Sequence, residues 1–261
     1  MGSYKPVVAA LRVLSVLQVV NQLNGEAQVG TIHQQTGIDK STVVRMLETL
    51  IAAGFVTRHA DAPLYAVTGK TLTLSSSYHR QHRFAELLKT PLNEFRARIN
   101  WPSDVAFYDS GVMLVVGSTR QKGALSFNRA AGFQSPVFAT SLGLAYMAYA
   151  SDTEVEEAVR YSRQGNPAPW NALVTDPVAR AEALAEVRER GFAEMSPLYS
   201  QLEYQNKVTS IGVPFLSSGR SIASINVIYL RHVVTRDQAI SELLPPLQAV
   251  AENMSSILQK T

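Results

Sequence analysis

The first 70 residues contain short amphipathic segments separated by turn residues. Residues 8–23 repeat apolar side chains every three or four positions, which predicts a helix. A short second helix is predicted over 28–37, where a final glycine can end it, and a third over 39–54, where an aspartate can cap it. Two short strands are predicted at 55–59 and 64–67. Three helices followed by a hairpin predict a winged helix-turn-helix.

The rest of the chain has a different pattern, in which longer helices and strands are mixed. Residues 70–100 place leucine and phenylalanine at helical spacing, which predicts a linker helix and then a further helix, with Pro91 starting a segment or bending it. Strands are predicted at Asp104–Asp109, Val112–Ser118, 124–129, 209–215 and 221–230. Helices are predicted at 140–149, 152–162, 177–190 and 239–258. This order predicts an α+β domain with one antiparallel sheet covered by helices.

The composition restricts the classes of protein that this chain can belong to. Its 261 residues are 46% apolar, enough for about two domains that each bury a core. No apolar run approaches the roughly 18 residues of a spanning helix, and no secretory signal is recognisable, so we expect a cytoplasmic protein without a membrane partner. The absence of cysteine excludes disulfides, thiolate metal sites and cysteine nucleophiles.

The charge is distributed unevenly along the chain. Residues 1–83 contain eight Lys or Arg and four Asp or Glu, a net charge of +4, whereas the remaining 16 basic and 17 acidic residues give −1. A basic head on a neutral body indicates a module that binds a polyanion, attached to a second unit with another role. The alternative is a solvated basic face without a partner.

The predicted third helix has the features of a DNA-reading helix. Such a helix enters the major groove with its N-terminal residues toward the base edges, while the wing and flanking helix contact phosphates. Arg45 can pair in a bidentate manner with guanine, and Lys40 suits a phosphate. The predicted DNA-contacting residues are Lys40, Ser41, Thr42, Arg45, Arg58, His59 and Arg12. The alternative is a three-helix protein-binding bundle with a solvated polar face.

Three blocks of sequence resemble the IclR family of bacterial transcription regulators. Residues 36–56, TGIDKSTVVRMLETLIAAGFV, are similar to the family's recognition-helix pattern T-G-L-x-x-S-T-x-x-R-L-L-x-T-L-x-x-x-G-F-V. Residues 136–148, PVFATSLGLAYMA, are similar to P-x-x-A-T-S-x-G-x-A-x-x-A. SIGVPF at 210–215 and ASINV at 223–227 resemble the strands that end the family's effector domain. The blocks follow the family's order over nearly the whole chain.

The resemblance implies the domain organisation and the partners of the protein. It implies a winged helix-turn-helix DNA-binding domain at 1–78, a linker helix at 79–90 and a GAF-like effector-binding domain at 91–261. A homodimer or a dimer of dimers would bind a pseudo-palindromic double-stranded operator, with RNA polymerase as a further partner if the protein activates transcription. Apolar residues of the first and linker helices, namely Val8, Leu11 and those from Leu72 to Leu88, would form the self-association surface, unless they pack on the wing.

The resemblance also implies that the protein controls catabolic genes in response to a small organic acid, which it binds in a pocket. In the family the A-T-S-x-G block begins a helix, whose N–H groups and dipole can hold a carboxylate. The positions matching this pocket are Thr140, Ser141, Leu142, Ser210, Asn226, Ile228, Phe127 and Phe133. The phenyl walls favour an aromatic acid, and residues 101–105 resemble the MhpR-like, aromatic-catabolism branch. Arg129 can pair with the carboxylate or face solvent. The alternative is that Thr140 or Ser141 caps a helix and the phenyl rings are core.

Enzyme motifs fail at positions that define them. Residues 69–71 resemble the end of a phosphate-binding loop, but Leu64 stands where the loop requires glycine. A nucleophile elbow requires glycine at Ala139, and His79 with His82 lacks a third metal ligand. We therefore predict a protein that is not an enzyme, with no catalytic residue, metal or cofactor. The alternatives are an esterase-like hydrolase and a regulator that acts only through protein partners.

Overall fold

The structure divides the chain into two compact units. It is a computed structural model that describes residues 5–23, 25–75, 79–118, 133–164 and 168–259. The units are Met1–His79 and Arg80–Thr261. Among the helices of the described residues, none combines the length and the apolar character that crossing a lipid bilayer requires.

The first unit is a helical bundle with a small hairpin. Its described elements are α1 (Val8–Gln22), α2 (Val29–Thr36), α3 (Lys40–Ala52), β1 (Val56–Arg58), β2 (Tyr65–Val67) and a 3-10 helix (Gly69–Leu74). The two strands pair antiparallel, and the three α-helices pack around a core that includes Val16, Ile32 and Leu47. The predicted winged helix-turn-helix is confirmed.

The second unit contains the longer elements. Its described helices are α4 (His79–Ile99), α5 (Ser141–Met147), α6 (Asp152–Ser162), α7 (Ala172–Thr175), α8 (Pro177–Arg190), α9 (Pro197–Tyr204), α10 (Arg236–Gln238) and α11 (Leu244–Gln259), with a π-helical segment (Ala239–Leu243) before α11. Its described strands are β3 (Asp104–Asp109), β4 (Val112–Ser118), β5 (Gln134–Ser135), β6 (Ala193–Glu194), β7 (Val208–Ser217) and β8 (Arg220–Leu230).

The described strands of the second unit form one antiparallel sheet in the order β5-β4-β3-β8-β7-β6. Because neighbouring side chains of a strand point to opposite faces, the sheet has two buried faces. Val105 and Phe107 join a core with α4 and α11, whereas Ala106 joins a second core with α5, α6 and α8. The predicted α+β class, an antiparallel sheet covered by helices, is confirmed.

Pro91 lies inside α4 and does not start a new segment. The helix continues through this proline from residue 79 to residue 99. Leu88, Leu92 and Phe95, on both sides of the proline, are buried against the sheet. Their packing keeps the helix intact although proline cannot donate a backbone hydrogen bond. The strand predicted at 124–129 lies outside the described residues.

Candidate nucleic-acid interface and buried polar cluster

The N-terminal half of α3 presents a mixed polar and apolar surface to solvent. Lys40, Ser41, Val44 and Arg45 are exposed, and we call these four residues the recognition surface. The opposite side of α3 is buried and consists of Val43, Leu47 and Leu50. Helical periodicity therefore places the side chains that pack in the core on one face of α3 and the side chains accessible to DNA on the other.

Val44 is a member of this surface that the sequence analysis did not single out. It is 39% exposed, in contrast to its buried neighbour Val43. An exposed apolar side chain on a recognition helix can contact the methyl group of thymine. The signal was present in the sequence, because position 44 follows Ser41 by three residues on the polar face.

Asp39 fixes the start of α3. Its carboxylate accepts hydrogen bonds from the Thr42 N–H at 2.9 Å and from the Ser41 hydroxyl at 2.7 Å. Hydrogen bonding from the Thr42 side chain, from Ser41 and from the Thr42 backbone holds the pKa of Asp39 well below its usual value. Because the Ser41 proton is engaged by Asp39, Ser41 offers DNA mainly an acceptor oxygen. Thr42 is half-buried.

The turn between α2 and α3 is held by side chains as well as by backbone. Gly37 adopts a left-handed conformation with φ of 68°, which glycine tolerates without strain. The His33 ring Nδ1 lies 2.7 Å from the carbonyl oxygen of Ile38. Thr36 donates to the Ile32 carbonyl at 2.7 Å and accepts from the Ile38 N–H at 3.2 Å. These bonds set the angle at which α3 leaves the turn.

The remaining predicted DNA contacts of the first unit are also exposed. Arg58 ends β1, His59 follows it, and the Arg58 guanidinium carbon lies 6.0 Å from the centre of the Tyr65 ring. Arg12 is exposed on α1 and, with Asp39, lines a cleft of about 440 Å³. The wing and α1 thus each present a cation to solvent.

Lys70 belongs to the basic excess of the first unit but has a structural contact. Its Nζ donates to the carbonyl oxygen of Ala53 at 2.9 Å, at the end of α3, and lies 5.0 Å from the centre of the Phe55 ring. A cation at a helix C-terminus is stabilised by the orphan carbonyls there. Net charge therefore overstates the number of cations free to bind DNA.

In the second unit, six of the nine residues predicted around an effector pocket meet where α5 begins against β7 and β8. They are Thr140, Ser141, Leu142, Ser210, Asn226 and Ile228, and each is at most 2% exposed. In the strand pairing, Ser210 lies opposite Ile228 and Gly212 lies opposite Asn226. We call Thr140, Ser141, Ser210 and Asn226 the buried polar cluster.

Two glycines allow this close approach. A Cβ on Gly143 would lie 2.0 Å from the carbonyl oxygen of Val137, and a Cβ on Gly212 would lie 2.7 Å from the carbonyl oxygen of Ser141. No real Cβ contact is that short, so only glycine lets the start of α5 pack on its preceding turn and on β7. This is the physical reason for the glycine in the A-T-S-x-G block.

The polar atoms of the cluster largely satisfy one another. The Thr140 hydroxyl donates to the Pro136 carbonyl at 2.7 Å and accepts from the Gly143 N–H at 3.2 Å, so it caps α5. The hydroxyl oxygens of Ser141 and Ser210 are 2.7 Å apart. Within the described residues the side chain of Ser141 is therefore paired with a serine and not with a histidine, as a hydrolase nucleophile would require.

Asn226 connects the cluster to the start of β3. Its Oδ1 accepts from the Asp104 N–H at 2.9 Å. Beside Asp104, the Arg96 guanidinium donates to the side chain and the carbonyl of Ser103 at 2.9 and 2.8 Å. Burial lowers the pKa of Arg96 to about 10, and the negative charge of Asp104 opposes this shift. Arg96 remains charged at neutral pH and holds the strand start in place.

One hydroxyl on this face of β8 is left without a partner. Ser224 is fully buried, and no hydrogen-bond partner of its hydroxyl lies in the described part of the chain. It precedes Asn226 by two residues and so lies on the same face of the strand. Because an unpaired buried hydroxyl costs free energy, this position favours a further polar group nearby.

The aromatic residues around the cluster differ from those predicted. Phe133 is half-buried and packs against the core that contains Leu142. Phe127 and Arg129 lie outside the described residues. An aromatic group that was not predicted packs beside Ala139: the Trp170 and Tyr199 ring centres are 5.1 Å apart, and those of Tyr199 and Tyr204 are 5.9 Å apart. The segments carrying these rings are short helices and loops, which hydrophobic periodicity does not identify.

A metal site has no support in the described part of the chain. Its His, Asp and Glu side chains form no group of three or more that could hold a metal ion. The side chains of His79 and His82 lie outside the described residues.

A winged helix-turn-helix with exposed cations on its third helix, joined to an α+β unit with a buried polar cluster, defines the class of DNA-binding regulators. The helix-turn-helix domain model of the IclR family matches residues 9–60. The model described as bacterial transcriptional regulator IclR C-terminal matches residues 76–256. The chain therefore belongs to the IclR family and is a DNA-binding transcriptional regulator, as the sequence predicts.

Similar proteins support this assignment along the whole chain. The Pca regulon regulatory protein of Pseudomonas putida is 24% identical over 245 residues, which cover 93% of this chain and 81% of that protein. The transcriptional repressor IclR of Escherichia coli is 23% identical over 184 residues, 70% of this chain and 66% of that protein.

Solved structures show the same fold. An IclR family transcriptional regulator from Brucella abortus superimposes with a TM-score of 0.63 at 21% identity, covering 97% of this chain and 92% of that one. An IclR homolog from Microbacterium hydrocarbonoxydans, complexed with 4-hydroxybenzoate, superimposes with a TM-score of 0.67 at 20% identity, covering 97% and 100%.

Proposed function

We propose that this regulator reads its operator with the recognition surface and Thr42, and holds the DNA backbone with Arg58, His59 and Arg12. The observation that carries the proposal is the exposure of Lys40 and Arg45 at the start of a helix whose cap and turn are fixed by hydrogen bonds. Arg45 suits a guanine edge, Val44 a thymine methyl, and Lys40 a phosphate.

The experiment measures binding of the intact protein to the intergenic DNA upstream of its own gene. Arg45→Ala should weaken binding to that DNA more than binding to a scrambled sequence, because a base contact carries specificity. Lys40→Ala should weaken both equally and reduce the salt dependence. Arg231→Ala, an exposed arginine of the second unit, is the matched control. Unchanged operator binding by both α3 variants would exclude the proposed interface.

We further propose that the second unit binds a small aromatic organic acid at the buried polar cluster and so controls catabolic genes. One support is the start of α5, whose first N–H groups have no carbonyl one turn earlier in the helix. Another is the hydrogen bond between Ser141 and Ser210, which a carboxylate could replace by accepting from both hydroxyls. The third is the Ser224 hydroxyl, which has no partner within the described residues. Trp170 and Tyr199 nearby favour a planar ligand.

One similar protein agrees with an aromatic ligand. The structural neighbour from Microbacterium hydrocarbonoxydans is complexed with 4-hydroxybenzoate. Membership of the MhpR-like branch, which residues 101–105 suggest, is part of the same proposal.

Calorimetry on the full chain tests the ligand class. Benzoate and 4-hydroxybenzoate should bind more tightly than pyruvate. Ser141→Phe should abolish binding, because Ser141 is fully buried against Ser210 and a ring there displaces the residues of the pocket. Ser41→Phe, on the exposed surface of the first unit, should leave ligand binding intact. The proposed pocket is wrong if pyruvate binds and the aromatic acids do not, or if Ser141→Phe binds benzoate normally.

We also propose that the protein is a homodimer or a dimer of dimers that associates through α1 and the segment after the wing. The outer face of α1 leaves Val8, Leu11 and Leu14 more than half exposed, and Leu72 and Leu74 are 73% and 64% exposed. Apolar faces of this kind usually mark interfaces, and two half-sites one helical turn apart require a two-fold protein. RNA polymerase would be a further partner of an activator.

Sedimentation at micromolar concentration measures the assembly. The double variant Leu11→Asp with Leu14→Asp should dissociate and lose operator binding, because charges are costly to bury in an apolar interface. Val178→Asp, at an equally exposed apolar position of α8, should remain assembled. A wild-type protein that sediments as a stable monomer would refute the interface.

A further inference from the structure

Three arginines line a cavity in the helical layer of the second unit. The cavity has a volume of about 350 Å³ and is lined by Val155, Glu156, Val159, Arg160, Arg163 and Arg180. These residues come from α6, from its C-terminal end and from α8. None of them belongs to the predicted effector pocket or to the DNA interface.

Two of the guanidinium groups are fixed at the same place by α7. Arg180 Nη1 donates to the carbonyl oxygens of Leu173 at 2.7 Å and Val174 at 3.4 Å. Arg163 Nη2 donates to the same Val174 oxygen at 3.3 Å. Two positive charges are thus brought to one carbonyl oxygen, where an anion beside them would be attracted by both.

The three guanidinium groups carry no protein counter-ion within the described residues. The ion pairs formed there involve Arg190 and Arg236 and leave Arg160, Arg163 and Arg180 unpaired with any carboxylate. Glu156 contributes one negative charge at the cavity, so the lining residues keep an excess of two positive charges. A planar guanidinium group with free N–H donors is suited to bind a carboxylate in a bidentate manner.

The walls of the cavity between the charges are apolar. Val155 and Val159 lie one turn apart on α6, and Val159 is 9% exposed. A volume of this size accommodates a small organic molecule. A bare inorganic anion would leave these walls in contact with water, whereas a hydrocarbon chain would cover them.

From this arrangement we infer that the second unit has a second ligand site, for an organic dicarboxylate, at the Arg160–Arg163–Arg180 cavity. One carboxylate binds Arg163 and Arg180 beside the end of α7. The other binds Arg160, and the hydrocarbon between them lies on the two valines. The site is independent of the proposed aromatic-acid pocket and shares no residue with it.

Calorimetry on the full chain with glutarate, butyrate and sulfate tests the site. Glutarate should bind, and butyrate and sulfate should bind at least about tenfold more weakly, because each lacks either the second charge or the hydrocarbon. Arg163→Gln and Arg180→Gln should each weaken glutarate binding by about tenfold or more.

Further variants separate loss of the site from loss of the fold. Arg160 makes no hydrogen bond or ion pair in the described part of the chain, so Arg160→Gln should fold normally and still lose affinity for glutarate. Arg231→Gln, at an exposed position of the second unit, should bind glutarate like the wild type. No glutarate binding by the wild type, equal binding of sulfate and glutarate, or loss of binding in Arg231→Gln would each overturn the inference.

Discussion

The recognition surface and the buried polar cluster place their polar groups in opposite environments. Lys40, Ser41 and Arg45 are exposed within six consecutive residues, where water solvates them and few other residues constrain them. Ser141 and Ser210 are fully buried and come from segments far apart in the chain. Buried polar groups require partners, whereas exposed ones do not. Substitutions on the recognition surface should therefore change binding alone, and substitutions in the cluster should change stability as well.

Of the substitutions at the buried polar cluster, Gly143→Ala should have the largest effect on stability. The new Cβ would meet the Val137 carbonyl at 2.0 Å, and relieving that overlap must shift backbone, at a cost of about 3 kcal/mol or more in the free energy of unfolding. Urea unfolding followed by tryptophan fluorescence measures it, because Trp101 and Trp170 both lie in the second unit.

The matched control is Gly30→Ala in α2 of the first unit. Among the described residues no atom lies within 4 Å of a Cβ at Gly30, and alanine favours the helix, so the stability of the first unit should rise by about 1 kcal/mol or less. Circular dichroism follows this unfolding, because both tryptophans lie in the second unit. A Gly143→Ala protein as stable as the wild type would show that the start of α5 is not closely packed.

Arg45→Ala tests the recognition surface, where a substitution should change binding but not stability. Operator binding should weaken by about 1–3 kcal/mol, since a bidentate base contact is lost. The melting temperature should stay within about 1 °C of the wild type, because an exposed side chain contributes little to stability. Scanning calorimetry and a mobility-shift titration on the same protein give both values. A large fall in melting temperature would place Arg45 in the fold rather than at the interface.

Thr140→Val measures how much the hydroxyl of the cluster stabilises the second unit. It removes the donor to the Pro136 carbonyl and the acceptor of the Gly143 N–H while keeping the shape, at a cost of about 1–2 kcal/mol. Thr140→Ser keeps the hydroxyl and should cost less. Urea titrations of both variants make the comparison, and equal stability of the two would exclude a capping role for the hydroxyl.

Asp39 should give the smallest effect, confined to acid pH. Because its pKa is lowered in the folded protein, its carboxylate stabilises α3 fully above the ordinary value near 3.8, and this stabilisation is lost as the pH falls below it. Asp39→Asn keeps an N-cap without a titrating group, so the acid unfolding of its first unit should lose this component. An NMR titration that returns an ordinary pKa for Asp39 would contradict the hydrogen bonds to Ser41 and Thr42.

Local patterns predicted the first unit in most of its detail. The period of apolar residues located α1 and α3, Asp39 and Gly37 marked the ends of helices, and the polar positions of α3 identified Lys40 and Arg45. These signals act within a few residues of one another, so neither the order of the elements nor the exposed face depends on distant contacts. Val44 was missed because only the polar positions of α3 were considered as DNA contacts.

The second unit was predicted by class and by motif but not in its contacts. Pro91 could start a segment or bend it, and the packing of Leu88, Leu92 and Phe95 on the sheet keeps it inside one helix. The short α7 and α9, which bring Trp170, Tyr199 and the carbonyls of Leu173 and Val174 into place, have too few residues to show a periodicity.

Local spacing and contiguous motifs were sufficient to predict the helix-turn-helix, the α+β class, the family and the residues at the start of α5. The contact of Ser141 with Ser210 and the shared cavity of Arg160, Arg163 and Arg180 became visible only in the folded chain, as did the Ser224 hydroxyl, which has no partner among the described residues. The positions of these side chains depend on sheet register and helix packing, which join segments that are distant in the chain, and no local pattern of residues records which distant segments will meet.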